Sequence, residues 1–392
     1  MGFFDLAEIE TYPNCPACKL YENCLSPKME IGGDGEKGIL VVAEAPGADE
    51  DELGTQLVGD AGEHLSAMLE RLGIDLHRDC WKVNAVNCRP PGNRTPKDNE
   101  IQACRPKVYE ALRKQPSVVL VLGSSAIKSV IGPDYRDNTA LGKVGIWVGQ
   151  QIPSHRWNTW LCPTYHPSYL IRQNDDALET ITENHIRLAL ETMDRPVASR
   201  VFDPEPVFLY TEEEIKYFLT QYSHSSRKVA FDYETTGLKP QAPGQEVVSM
   251  GISDGKDTVA FMIEEGVMGA VRSFLASDVP KIAANIKFEE AWSRTFFGQP
   301  VCNWRWDTMA TQHFLDNRPG IASVQFQAFV RYGVQPYNEE VESYLKTRNS
   351  NGLNKIRELP THVLLRYNAM DAALEWRITK DQLREHKQMR IG

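Results

Sequence analysis

A Cys-x-x-Cys pair at Cys15 and Cys18, answered far downstream by Cys88 and Cys104, limits the folds open to this chain more than any other feature. Two thiolates two residues apart, joined by two more from a distant loop, can build a four-sulfur cage. Such a cage forces the two segments together. By ligand count it suits zinc or an iron–sulfur cluster equally. Cys24 is a fifth cysteine nearby, while Cys80, Cys162 and Cys302 are isolated. The opening Met1-Gly2-Phe3-Phe4-Asp5 has no basic-then-apolar leader, and no apolar run approaches the ~20 residues of a membrane span. The expected compartment is the cytoplasm, where structural disulfides are not expected.

At roughly 100–200 residues per domain, 392 residues make two domains. Asp194–Arg200 has neither a helical nor a strand period, and Pro204 and Pro206 follow. We expect a first domain over 1–195, a linker over 196–206 and a second domain over 207–392. In the first, Gly38–Glu44, Val83–Val86 and Ser117–Gly123 read as strands, and Asp60–Gly73 and Ser124–Val130 as helices. That alternation predicts a parallel sheet with helices on both faces and a ligand at the carboxyl ends of the strands. In the second, Lys228–Asp232, Glu246–Ser253 and Thr258–Ile263 read as a three-strand meander. A helix at 266–276 and a strand at 281–284 follow, predicting a mixed sheet.

Lys and Arg number 43 against 53 Asp and Glu, a net charge of −10, which excludes a global basic field for nucleic acid. One stretch runs the other way. From Lys82 to Lys114, eight basic residues face Asp98, Glu100 and Glu110, a net of +5. Such a patch can hold phosphate or can be a solvated helix face.

The order of Ala43-Glu-Ala-Pro-Gly-Ala-Asp-Glu-Asp51, Gly54, Val58–Gly62, Asn84–Pro96 and Tyr165-His-Pro-Ser168 resembles the family 4 uracil-DNA glycosylases across 15–190. The resemblance implies a [4Fe-4S] cluster on Cys15, Cys18, Cys88 and Cys104. It also implies a base flipped from the duplex and read on its Watson–Crick edge. Asn84 offers the donor and acceptor that the uracil edge requires. Glu44, Glu50 and Asp51 would position water or stabilise the cationic sugar, and His166 would donate to O2 of the departing uracil. Arg89 and Arg94 would lie on the DNA backbone. Two positions depart from the family: Leu57 stands where Phe usually stacks on the base, and Asp60 where Arg is frequent.

In the second half, Phe231-Asp232-Tyr233-Glu234 places two carboxylates on one face of a strand. Crowded carboxylates repel unless cations neutralise them. Asn285-Ile-Lys-Phe-Glu289, Trp306-Asp307-Thr308-Met309 and Tyr367-Asn-Ala-Met-Asp371 follow. Tyr367 and Asp371, four apart, share a helix face. The set resembles the DEDDy 3′–5′ exonucleases, above all the proofreading domain of family A DNA polymerases, over 205–388. The resemblance implies two Mg²⁺ or Mn²⁺ ions held by Asp232, Glu234, Glu289 and Asp371, with Tyr367 orienting the attacking water. Thr235, Leu238 and Asn285 would contact the terminal nucleotide. Glu289 departs from the usual Asp. His224 and His362 read as surface histidines, and Phe288 and Trp292 as core.

The expected protein is therefore α/β throughout, a uracil-DNA glycosylase-like parallel-sheet domain ahead of a ribonuclease H-like mixed-sheet exonuclease domain. Its expected work is DNA processing in replication or repair, on single-stranded 3′ ends and uracil-containing DNA, in a bacterial or phage-infected cell and away from membranes. The helix carrying Asp371 leaves no room for a polymerase palm before Gly392. The order of domains resembles the front half of certain bacteriophage polymerases. A separate DNA polymerase subunit is the expected partner. It would dock on the basic ending Lys380, Arg384, His386, Lys387, Gln388 and Arg390, unless that ending is a solvated helix. The rival reading is a non-catalytic DNA-binding subunit of a phage-type polymerase complex.

Overall fold

The computed structural model describes residues 13–198, 202–347, 349 and 351–389. The opening Met1–Asp5 and the terminal Arg390 lie outside the described residues. Two compact units emerge, Met1–Val201 with Phe329–Gly333, and Phe202–Ala328 with Val334–Gly392.

The first unit is built on β1 (Ile39–Ala43), β2 (Cys80–Asn84), β3 (Val118–Leu122), β4 (Ile152–Ser154) and β5 (Thr159–Thr164), in the order β2-β1-β3-β5-β4. β1, β2, β3 and β5 run parallel, and β1 and β3 are buried along their whole length. Continuous Val, Leu and Ile runs are what a strand covered on both faces requires. The sheet differs from expectation at one edge, where the three-residue β4 pairs antiparallel with β5. The strand expected at 83–86 starts earlier and stops at Asn84. Ile39–Ala43 pairs residue for residue with Cys80–Asn84. Beyond that register the Asn87 side chain accepts from Asn84 N at 3.1 Å and donates to Asn84 O at 2.9 Å, turning the chain out of the sheet. Asn84 therefore ends β2 at the carboxyl edge. Gly123 follows β3 with φ +77°, and a Cβ there would stand 3.1 Å from the His166 Cβ. Glycine at this turn lets His166 approach the same edge.

The second unit carries β6 (Val207–Leu209), β7 (Val229–Thr235), β8 (Val247–Ser253), β9 (Thr258–Met262), β10 (Lys281–Ala283) and β11 (Trp304–Asp307), in the order β11-β10-β7-β8-β9-β6. β7, β8 and β9 form the antiparallel meander, and the flanking strands pair parallel, which is the mixed sheet expected. Phe231, Tyr233, Phe274, Trp292 and Phe297 fill the core on one face. On the other face lies the helix Thr361–Met389, whose packing depends on Gly251. A Cβ at Gly251 would come within 2.4 Å of the Asn368 carbonyl oxygen. Gly251 pairs with Asp232 across β7 and β8. The absent side chain thus lets the helix lie on the sheet beside Asp232.

Candidate functional sites

In the first unit, Cys15 and Cys18 bracket a four-residue helix capped by Asn14, whose N–H bonds Ala103 O at 2.8 Å. That bond ties the pair to the helix Asp98–Leu112, which carries Cys104. Cys18, Cys88 and Cys104 gather with Leu20, Val86 and Ile101 in an apolar nest that Cys24 joins. Backbone N–H groups already point at sulfur: Lys28 N at 3.2 Å from Cys88 Sγ and Asn87 N at 3.3 Å from Cys104 Sγ. Burial pushes the Cys88 thiol up to about 12 and raises Cys18, Cys24 and Cys104.

Beside this nest, at the carboxyl edge of the sheet, opens a cavity of about 900 Å³. Glu44, Glu50, Leu57, Asn84, Arg94 and His166 line it together. Asn84 is buried, and its two hydrogen bonds use its backbone, so its side-chain amide has no partner among the described residues. Glu44 accepts from Ser125 Oγ at 2.9 Å. His166 caps the helix Pro167–Gln173, and its Nδ1 accepts from Ser168 N at 3.2 Å. Burial, with Arg172 nearby, lowers its pKa to about 4. The ring is therefore neutral at ordinary pH, and with Nδ1 accepting, its proton sits on Nε2 as a donor.

Not every residue expected here reaches the cavity. Asp51 turns away: its carboxylate accepts from Leu25 N and Ser26 N at 3.0 and 2.9 Å. Glu50 lines the cavity, but its oxygens are taken by the N–H groups of Gly47, Val58 and Gly59. Arg94 forks onto Glu100 at 2.9 and 2.6 Å, and Arg89 donates to Asn93 at 2.7 Å. The expected backbone contact would compete with those bonds. Leu57 sits at φ +55°, buried in the core at the cavity wall. Asp60 begins the helix Asp60–Arg71, where a negative charge suits the helix N-terminus.

In the second unit, Asp232 and Glu234 project from β7 and Asp371 from the long helix. One ligand atom of each lies within 4.8 Å of the others, a spacing that could hold a metal ion. The Asn368 amide donates to Asp232 Oδ2 at 2.6 Å and is itself held by Ser249 Oγ at 2.9 Å. The Tyr367 hydroxyl receives the Gln325 amide at 3.3 Å beside Asp371. The Tyr337 hydroxyl donates to Asp371 Oδ1. Burial first, and then the neighbouring carboxylates, hold Asp232 and Glu234 well above the usual carboxylate range; burial pushes Asp371 to about 6. A centre this short of positive charge fits divalent cations.

Glu289, expected as a fourth ligand, lies outside the 4.8 Å group. It is buried, and its Oε2 has no hydrogen-bond partner among the described residues. Its charge still raises Glu234. Asn285 enters the Glu289 helix at φ +58°, and its N–H bonds Asp307 at 3.1 Å. Thr235 donates to Gly237 O at 2.7 Å, and Leu238 is 62% exposed. Three residues of this centre escaped the sequence reading: Asn368, Tyr337 and Glu375. Glu375 is buried near Asp232, Glu289 and Asp371. Asn368 and Glu375 stand three and four residues from Asp371, so helical spacing carried a signal for both. Tyr337 carried none.

Residues 30–193 match the uracil DNA glycosylase superfamily, and residues 206–386 match a 3′–5′ exonuclease family. The type-4 uracil-DNA glycosylase of Pyrobaculum aerophilum is 36% identical over 173 residues, covering 42% of this chain and 83% of that protein. That of Thermotoga maritima is 33% identical over 190 residues, covering 47% and 93%. Among solved structures, Escherichia coli RNase D aligns at TM-score 0.37 and 15% identity, over 47% of this chain and 46% of that one. The chain thus spans about half the length of that solved nuclease. The Aedes aegypti Nibbler EXO domain aligns at TM-score 0.35 and 15% identity, over 47% and 92%. The C-terminal half matches a 3′–5′ exonuclease family over residues 206–386, and through its N-terminal half the chain belongs to the type-4 uracil-DNA glycosylase family.

Proposed function

We propose that this DNA-processing enzyme joins uracil excision to two-metal 3′–5′ degradation of DNA ends, in replication or repair. The observation that carries the nuclease half is the convergence of Asp232, Glu234 and Asp371, with Tyr367 on the same helix as Asp371. Mg²⁺ or Mn²⁺ bound there would stabilise the attacking and leaving oxygens of an in-line displacement. The chain's own part is to place the ions through Asp232, Glu234 and Asp371, with Glu289 adding charge behind them. Tyr367 orients water, and the exposed Leu238 meets the terminal nucleotide. Thr235 at the end of β7 and Asn285 at the entry of the Glu289 helix frame the same end. Residues 1–195 and 207–392 serve as the two working domains, joined through 196–206.

In the first half, Asn84 reads the base and the neutral His166 donates from Nε2 to uracil O2 as the glycosidic bond breaks. Glu44 faces the developing positive charge on the sugar. We read the cysteines as holding a [4Fe-4S] cluster on Cys15, Cys18, Cys88 and Cys104, supported by the type-4 relatives and by the apolar nest that gathers Cys18, Cys88 and Cys104. Such a cluster would staple residues 15–18 to the rest of the domain.

End-labelled single-stranded DNA, with and without uracil, in Mg²⁺ or EDTA, tests both halves at once. Stepwise shortening from the 3′ end in Mg²⁺ and an alkali-labile site from uracil in EDTA are expected. No abasic product would leave the first half a DNA-binding module, as the apolar Leu57 in place of a stacking ring favours. The working compartment is the cytoplasm of a bacterial or phage-infected cell. A separate DNA polymerase subunit is the partner to seek, by pull-down with and without residues 380–392.

A further inference from the structure

We propose that Tyr337 is a positioning residue of the nuclease centre, whose hydroxyl takes one oxygen of Asp371 and so presents the other to a divalent cation shared with Asp232 and Glu234. The inference rests on the exonuclease reading and names a residue that its motifs do not contain.

A carboxylate offers two oxygens, and a buried one needs a partner for each. At Asp232 the second oxygen is served by Asn368 Nδ2 at 2.6 Å. At Asp371 the corresponding donor is Tyr337, from the segment between the helices Val324–Tyr332 and Glu339–Leu345. A phenol suits this place. It donates without adding positive charge, so it orients the carboxylate without competing with the cation for the site's electrostatics. It also holds by its ring. Tyr337 packs against the cluster of Val341, Ile356 and Leu364, and its ring lies 5.7 Å from that of Tyr367 at 46°.

Tyr367 stands beside Asp371 on the same helix, and its hydroxyl receives the Gln325 amide at 3.3 Å. The reaction needs that hydroxyl on water. With Tyr337 holding Asp371, Tyr367 can turn to water without the ligand losing its support. The two tyrosines divide the work: one aims the metal ligand, the other aims the nucleophile. The opposite reading is a latch, in which Tyr337 occupies the oxygen that the cation needs. The two readings predict opposite signs when the hydroxyl is removed.

The test is calorimetric titration of Mn²⁺ into the metal-stripped full chain, with Asp232→Ala as the blank for unrelated sites. Tyr337→Phe keeps the ring and removes the hydroxyl. A hydrogen bond to a charged group supports a loss of about tenfold in Mn²⁺ affinity. Tyr337→Leu should lose at least as much. In 3′-end digestion, Tyr337→Phe should raise the Mn²⁺ concentration needed for half-maximal rate, with most of the rate recovered at saturating Mn²⁺. Tyr367→Phe should lower the saturated rate and leave Mn²⁺ affinity near wild type. Unchanged affinity in Tyr337→Phe, with a loss only in Tyr337→Leu, would reduce Tyr337 to packing and overturn the proposal. Tighter Mn²⁺ binding in Tyr337→Phe would overturn it in favour of the latch. A wild-type chain that binds Mn²⁺ through Asp232 but shortens no DNA defeats the exonuclease reading alone, because the titration still judges Tyr337.

Discussion

Stripping divalent metal from the nuclease centre should make the C-terminal unit less stable as pH rises, and Asp371 sets the scale. Its carboxyl is buried and shifts from 3.8 to about 6. The folded state therefore keeps a proton that the unfolded chain gives up. Its contribution is fully favourable below the unfolded value of 3.8, and it is lost as pH rises through about 6. Two pKa units correspond to about 3 kcal/mol. Roughly half of that is already lost at pH 5, leaving about 1.5 kcal/mol between pH 5 and pH 7.5. For a unit of this size that lowers the midpoint by roughly 3–6 °C. Asp232, Glu234, Glu289 and Glu375 are raised too, so their contributions share its sign. Differential scanning calorimetry in EDTA, following the transition that Mn²⁺ raises, measures the effect in wild type and in Asp371→Asn. The wild-type midpoint should fall relative to the variant across that range, and saturating Mn²⁺ should restore it. A wild-type profile that stays parallel to Asp371→Asn from pH 5 to pH 7.5 refutes the reasoning.

Asp232→Ala should abolish 3′-end degradation while leaving uracil release intact, and Asn84→Ala should do the reverse; matched assays on one labelled substrate read both. Gly251→Ala should cost about 1–3 kcal/mol by overpacking and move Asp371 away from Asp232, because a Cβ there would meet the Asn368 carbonyl oxygen at 2.4 Å; urea unfolding and nuclease rate should fall together. Cys88→Ser should remove the brown absorbance near ~400 nm that thiolate-bound iron gives, with metal analysis as the check; a colourless wild type holding stoichiometric zinc would falsify the cluster. Uracil release should show no step from His166 between about pH 5 and about pH 8, because its pKa lies near 4; a rate that falls with protonation in that window speaks against a neutral donor.

What could be read from the chain follows from how local each signal is. Val118–Leu122 is an unbroken apolar run, and a strand buried on both faces needs nothing else to declare it. Asp232 with Glu234, and Tyr367 with Asp371, sit at strand and helix periods, so each pair shares a face before any tertiary contact is known. The choice between Glu50 and Asp51 was different. Adjacent acids at the start of a helix look alike in sequence, and what separates them is a set of N–H groups at Leu25 and Ser26 that need an acceptor. Arg94 is placed on the DNA backbone by the family resemblance; its pairing with Glu100 is tertiary detail, since the capping geometry at Lys97 brings the two together. Tyr337 belongs to the same class. Its role exists only because the chain folds back 34 residues to Asp371.

The short helix Ala48–Leu53 faces two ways at neighbouring residues. Glu50 fastens the loop of Val58 and Gly59 at the cavity, and Asp51 fastens the loop that follows Cys24. A disturbance at the sulfur nest therefore has a path of two side chains to the cavity at the carboxyl edge of the sheet. If the proposed cluster and activities hold, loss of iron would reach uracil removal through this helix while leaving the carboxylate centre of the other unit untouched, so the two chemistries would fail separately.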